Sequence, residues 1–445
     1  MKCEIMMKKS IIIGGILIVA IVIVGIILGL FFLLPKGGDD NGQPIYYSGN
    51  FFISKWNTSA TESGSSNSNQ VSLPLVSGGT YCFNVDWGDG TTDLITNYSQ
   101  SEKVHTYSSE GVYTIRINGS INGWNFAYGT DELKIMEIQK WGDLRLGNLG
   151  NYFAGCANLE ITADDTLNLN GTTDLNRMFM SCVNLVGHES MNNWDVSKIT
   201  DMYGVFWHAH KFNSSIGDWD VSKVEKMRNL FCRAESFNQD ISGWDVSNVK
   251  EMNSMFGAAH SFNQDISGWD VSNVEDMQGM FNYAYSFNQD IGDWNVSNVK
   301  VMTSMFNGAR IFDQNISDWD VSNVESMERM FINAYLFNQD IGNWDVSNVT
   351  TMKMMFYNST SFDQDIGNWD VSNVTTMVDM FQYIQLSTVN YDSLLIGWNN
   401  LTTLQNGVSF NGGLSTYTAG GDAEYAHDVI LEGKYEWVIT DGGSV

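Results

Sequence analysis

Tryptophan returns every 25 residues, at Trp194, Trp219, Trp244, Trp269, Trp294, Trp319, Trp344 and Trp369, without one slip. Methionine keeps the same step from Met202 to Met377, and phenylalanine from Phe206 to Phe381. A fixed period of this length leaves few architectures open, because a unit so short cannot bury its own apolar face. Stacked units share one continuous core, which is a solenoid. Two degenerate units come earlier: Trp141 to Phe153 and Leu167 to Phe179 keep the offset of Trp194 to Phe206. The array is therefore expected over residues 141–385 as about ten units, followed by a capping region over 386–445.

Within a unit, Val249, Met252, Met255, Phe256 and Ala259 fall on one stripe of a helix. Serine precedes the stripe as an N-cap, and Ser222/Glu225, Ser272/Glu275 and Ser322/Glu325 have the spacing of capping boxes. The spacing predicts a three-turn helix ending near Ala259, a turn at Phe262 to Asp265, and a short strand through Ile266, Trp269 and Val271. The expected fold class is an α/β leucine-rich-repeat-like solenoid, one short strand and one short helix per repeat. The regular methionines and tryptophans are expected in its core rather than in a thioether metal site or a sugar-stacking row.

Outward, Asp220, Asp245, Asp270, Asp320, Asp345 and Asp370 form a row with Asn295 in the gap. Bare carboxylates stacked at strand spacing repel one another, so such a row needs calcium, a cationic partner, or hydrogen bonds within turns. Asparagine in the gap fits the turn reading, since it keeps the hydrogen bonds without the charge. Cys156 and Cys182 share one repeat position, where later units carry Ala209, Ala234 and Ala259. Adjacent coils would bring them within reach of a disulfide; a small buried residue is the plainer reading. No CxxC occurs, which removes the usual zinc spacing. No cofactor is expected other than calcium.

Residues 11–34 hold no charge, and as a helix they would span about 36 Å, enough to cross a bilayer. Lys2, Lys8 and Lys9 precede this segment and Asp39 and Asp40 follow it, so the N-terminus is expected in the cytoplasm and the bulk outside. Residues 1–34 are thus a cytoplasmic tip and transmembrane anchor, and 35–49 a linker. Over 50–140 the pattern is strand-like: Tyr81 to Trp87 runs into the turn Gly88-Asp89-Gly90-Thr91, and Val112 to Ile117 alternates with period two. A small all-β sandwich is expected there. The chain carries 23 Lys and Arg against 51 Asp and Glu, a net charge of −28, which repels nucleic acid and anionic headgroups.

Two resemblances follow from these motifs. Trp87 to Thr91, His105-Thr106-Tyr107 and Gly111-Val112-Tyr113-Thr114 resemble the polycystic-kidney-disease (PKD) type sandwich. The unit Met-Phe-x-x-Ala-x-x-Phe-Asn-Gln-Asp-Ile-x-x-Trp-Asp-Val-Ser-Asn-Val resembles the repeat of BspA-family leucine-rich-repeat surface proteins, with a tail over Tyr391 to Gly443 that is similar as well. That resemblance implies surface display, adhesion and an extracellular protein or glycan partner, with no catalytic residues to carry over. The chain departs from it in its N-terminal transmembrane anchor. Carboxylates recur in every unit, whereas a catalytic pair should be singular, so no enzyme is expected. A structural component of the cell envelope is the alternative to an adhesin. A binding surface is to be sought among the outward Asp and Asn rows, the variable positions of the predicted helix, or the PKD-like module.

Overall fold

The structure is a computed structural model that describes residues 49–126 and 130–445. The anchor expected at 11–34 lies outside the described residues. Two compact units divide between Thr172 and Thr173.

The first unit is a β-sheet domain. Its strands are β1 (Phe52–Asn57), β2 (Gln70–Ser72), β3 (Thr80–Asp86), β4 (Thr92–Ile95), β5 (Val104–Thr106), β6 (Val112–Asn122), β7 (Ile135–Lys140), β8 (Leu144–Arg145) and β9 (Glu160–Ile161). One sheet runs β4-β3-β6-β1-β7-β9, with β8 beside β6, while β2 and β5 pair separately. β1 alternates inward and outward because Phe52 and Trp56 bury on the core side. The hairpin predicted at Trp87 to Thr91 joins β3 to β4, and the Trp87 amide donates to the Thr91 carbonyl at 3.2 Å. Gly88 sits at φ +82, and a Cβ there would lie 2.5 Å from the Thr114 carbonyl oxygen. β7 and β9 run parallel, with Ile138 opposite Ile161, and the Trp141 amide donates to Asp165. The two degenerate repeat units therefore start inside the sheet domain, and the division falls at 172/173 instead of the expected 140/141.

The second unit begins as stacked coils of 25 residues, but each coil lacks the helix and the strand that were expected. In the coil holding Met252, the amides of Met252, Ser254, Phe256 and Ala258 donate to carbonyls of the next coil at 3.2, 2.8, 2.9 and 2.6 Å. The alternate amides of Met255, Gly257 and Ala259 donate three residues back, closing tight turns at 3.0 to 3.1 Å. Ser254 and Ala258 take left-handed φ of +54, which an α-helix does not allow. The segment is thus two successive four-residue turns. A four-residue repeat turns the same positions inward as a 3.6-residue helix over ten residues, which is why the pattern mimicked one. Met252, Met255, Phe256 and Ala259 are all buried, as a helix would also have made them.

The strand gives way in the same manner. Ile266 to Val271 forms a turn closed by Trp269 N–H to Ile266 C=O at 3.2 Å. Extended pairing survives as one parallel bridge per coil, running from Asp174 through Asp201, Lys226 and Glu251 to Thr376. The expected capping boxes are not made: the Ser222 amide and hydroxyl both donate to Asp220 Oδ1, at 3.1 and 2.6 Å. Glu225 instead meets Lys250 of the next coil at 3.1 Å.

Side chains stitch the coils together. Phe206 to Phe381 stack in one column with ring centroids 5.5 to 5.8 Å apart. Phe212 to Phe362 form a second at 5.9 to 6.2 Å. The tryptophans lie beside them, buried as expected, and from Trp219 to Trp369 each indole N–H donates to a carbonyl of the preceding coil, as from Trp269 to Ile241 at 3.2 Å. The asparagine column works in the same sense: the Asn263 amide donates to Asn238 Oδ1, and Asn288 to Asn263 Oδ1, both at 2.9 Å. After the last coil, α1 (Thr388–Asn399), the parallel strands β10 (Ser409–Asn411) and β11 (Val438–Thr440), and a helical stretch that is π-helical over Tyr425–Glu432 close the C-terminal end.

Asn288→Ala removes the acceptor for the Asp313 amide and the Gln314 side chain, now at 2.9 and 3.1 Å. It is expected to cost about 1–3 kcal/mol in denaturant unfolding. Asn288→Asp should cost clearly less, because Asp313 and Asp363 already serve in that column. Equal losses for the two variants would contradict the ladder.

Candidate functional site

The rows singled out from sequence are largely consumed by the fold. Asp195 to Asp370 each accept the amide of the serine two residues on, at 3.0 to 3.1 Å. Asn295 does the same for Ser297 at 3.2 Å. Bonds from the Ser222 hydroxyl and amide hold the Asp220 carboxyl below its usual range, and Asp270 and Asp345 are lowered in the same way. The second acidic row repeats the motif, as in Asp265 to Ser267 at 2.9 Å. One oxygen of each carboxylate is committed to its own turn, so the rows are accounted for without an ion. A melting temperature unchanged by a calcium chelator is the expected result; a drop would restore the calcium reading.

The disulfide that the shared repeat position left open between Cys156 and Cys182 is not made. Both sulfurs fill the buried slot that alanine takes in later coils, so the pair serves as small core residues. Burial pushes the Cys232 thiol up to about 11, which leaves it unreactive at neutral pH. In the sheet domain, His105 stacks on Trp87 with centroids 4.7 Å apart and meets Asp89 at 2.8 Å, inside the hairpin motif.

Much of what remains outward and varied lies on the two four-residue turns of each coil and on the turn that follows, which the Phe262 amide closes onto the Ala259 carbonyl at 3.1 Å in the coil of Met252. Tyr203, Trp207, His208 and His210 stand there in one coil, Arg228, Arg233 and Glu235 in the next, and His260, Tyr285, Arg310 and Tyr335 further along. They stack across coils in register. The Arg177 guanidinium lies 4.6 Å and that of Arg228 5.6 Å from the Tyr203 ring centre. His260 stacks on Tyr285 at 4.6 Å, and Arg310 covers the same ring at 4.2 Å. Glu235 lies 3.8 Å from His210 and 3.9 Å from His260. Burial, with Arg233 and His210 nearby, pushes the His208 imidazole toward its neutral form. Ile311, Leu336, Tyr283 and Tyr383 add exposed apolar surface along the same turns. Tyrosine, tryptophan and arginine are the residues that concentrate binding energy at interfaces. The sequence signal for this face is variation: its residues change from unit to unit while the rest of the repeat does not.

A second polar cluster sits in the C-terminal cap. His427 Nδ1 lies 2.6 Å from Asp428, and Nε2 makes an ion-pair contact with Asp441 at 3.2 Å. Tyr417 stacks on the imidazole at 4.6 Å, and the Tyr391 hydroxyl donates to Asp441 at 2.6 Å. Among the described residues, His427, Asp428 and Glu432 also bring three ligand-type atoms within 4.8 Å of one another. Burial alone would lower the pKa of His427, but the two carboxylates outweigh it and raise it above the ordinary 6.5. Burial would raise Asp441, and contacts from His427, Tyr391 and Gly443 outweigh it and lower it below 3.8. His427 therefore stabilises the cap fully below pH 6.5, and this is lost as pH rises through its folded value. Asp441 contributes above pH 3.8 and loses this as pH falls through its lowered value. The cap should be most stable between the two. His427→Gln should flatten the alkaline limb of a stability–pH curve, and an unchanged limb would contradict the assignment.

Comparison with known proteins bears on the repeats. No curated protein and no solved structure matches this chain. A family does, over residues 123–220, 173–294 and 284–394, which together span more than half of the chain. The chain therefore belongs to the family described as "Mycoplasma protein of unknown function, DUF285".

Proposed function

We propose that this chain is a non-catalytic adhesion or recognition protein of the cell surface, displaying the coil stack to an extracellular protein or glycan. Residues 11–34 supply the single membrane anchor, with the N-terminus cytoplasmic. Among the described residues no helix is long and apolar enough to cross a membrane. The β-sheet domain is read as a PKD-like sandwich and the coils as a BspA-type leucine-rich-repeat variant, on the motifs quoted above.

The observation that carries this reading is the division of labour around each coil. Asp, Asn, Gln and Ser columns are spent on turns and on bonds to neighbouring coils. The turns from Met252 to Phe262 and their counterparts vary from coil to coil, and they present Tyr, Trp, His and Arg. A solenoid that fixes its scaffold and varies one face is built to bind along that face. A spacer role in the envelope is the second reading, favoured by the unbroken phenylalanine columns, which make the stack stiff.

The full chain, purified in detergent, is to be screened against extracellular matrix proteins and a glycan array. Binding should fall at least about tenfold in a Tyr285→Ser, Arg310→Ser, Tyr335→Ser variant and stay level in Asp270→Asn. No binding to any ligand, together with ordered self-assembly, would establish the spacer reading instead.

A further inference from the structure

The arginines of the variable face differ from the lysines beside them. Lys226, Lys250 and Lys300 each pair with a carboxylate of the preceding coil, at 3.4, 3.1 and 2.8 Å. Arg177 and Arg228 do not: among the described residues neither has an ion-pair partner, and both lie against Tyr203 instead. Arg177 Nη2 donates to the Tyr203 hydroxyl at 3.3 Å, and its Nε is shielded from water with no hydrogen-bond partner among the described residues. A guanidinium held against a ring loses little further freedom on binding and keeps N–H donors for a carboxylate. Trp207 adds a second aromatic side chain, 6.2 Å from Tyr203. The nearest acidic column is already engaged, Asp201 by Lys226 and by the Tyr203 amide, at 3.4 and 2.9 Å.

The geometry points to an acidic polysaccharide as the ligand of this end of the face, with its carboxylates taken by Arg177 and Arg228, which Tyr203 holds between them, and a sugar ring packed on Trp207. The proposal rests on the recognition reading of the same turns and names its ligand class. Three properties select it. Arg177 and Arg228 lie two coils apart, roughly 10 Å at the spacing of hydrogen-bonded chains. That is of the order of one disaccharide, so a polymer with one uronic acid per disaccharide matches the arginines along the stack. Aromatic side chains offer apolar faces that suit the C–H face of a sugar ring. The net charge of −28 disfavours a densely charged polyanion such as nucleic acid, whereas sparse carboxylates can meet the arginines without facing the acidic rows.

Isothermal titration of the full chain in detergent with a hyaluronan hexasaccharide, which alternates uronic acid and N-acetylhexosamine, tests this. Saturable binding is expected, weakened at least about tenfold by carboxyl reduction of the ligand and by Arg177→Gln with Arg228→Gln. Arg177→Lys with Arg228→Lys, which keeps the charge but not the fork, should recover only part of the loss. Arg329→Gln, whose arginine pairs with Glu328 at 3.5 Å, should bind as the parent does. Matching melting temperatures separate lost recognition from lost folding. The proposal is overturned if the reduced hexasaccharide binds equally well, if the double Gln variant binds as the parent does, or if single-stranded DNA of equal charge binds as tightly. A chain that ignores the hexasaccharide yet binds other partners on the arrays sinks this assignment and spares the adhesin reading. A chain that binds nothing sinks both.

Discussion

Every coil gives alternate backbone amides to its neighbour, and the rest of the molecule follows from that exchange. A buried amide must be satisfied, and a helix would satisfy it locally. Here Met252, Ser254, Phe256 and Ala258 donate outward to the next coil, and the intervening amides close turns. The cost is a left-handed residue at two places in each coil, at Ser254 and Ala258 and their counterparts. The return is a stack in which equivalent side chains lie directly above one another. Phenylalanines then form continuous columns, asparagines form ladders, and a single arginine can reach a tyrosine one coil away.

The same register explains why the surface is divided. Polar residues that recur from unit to unit, with only Asn and Asp exchanging, have a partner in their own turn or in the adjacent coil, so they hold the stack. Asp270 and Asn263 are such residues. Side chains on the turns with left-handed residues make such bonds only here and there, as from Asn358 to Asn333 Oδ1 at 2.7 Å. His208, Arg233, Tyr283 and Asn333 all occupy one left-handed position, although arginine and tyrosine do not favour it. Side-chain identity there is not set by backbone preference alone.

Much of the fold was legible in the sequence and part was not. Period and core were readable because Trp, Met and Phe recur at fixed offsets, and all three are buried. The turn role of Asp was readable from Asn295, which shares the hydrogen bonds without the charge. The helix was misread because inward positions at Met252, Met255, Phe256 and Ala259 fit a four-residue turn repeat as well as a helix. The capping boxes failed for a related reason: Ser222 turned to Asp220, and Glu225 had a lysine within reach in the next coil. The first partner lies two residues before the serine, and the second lies a full coil away. Variation on the face was visible in the repeat, but the Arg177–Tyr203–Arg228 stack needed the register between coils, which one unit cannot reveal.

The central claim is that the coils are hydrogen-bonded turns and not helices. Far-ultraviolet circular dichroism of the purified chain tests it most directly. The expected result is that the described residues add no helical signal beyond that of the C-terminal cap, with α1 the principal helix among them. A spectrum demanding one three-turn helix in every coil would contradict it.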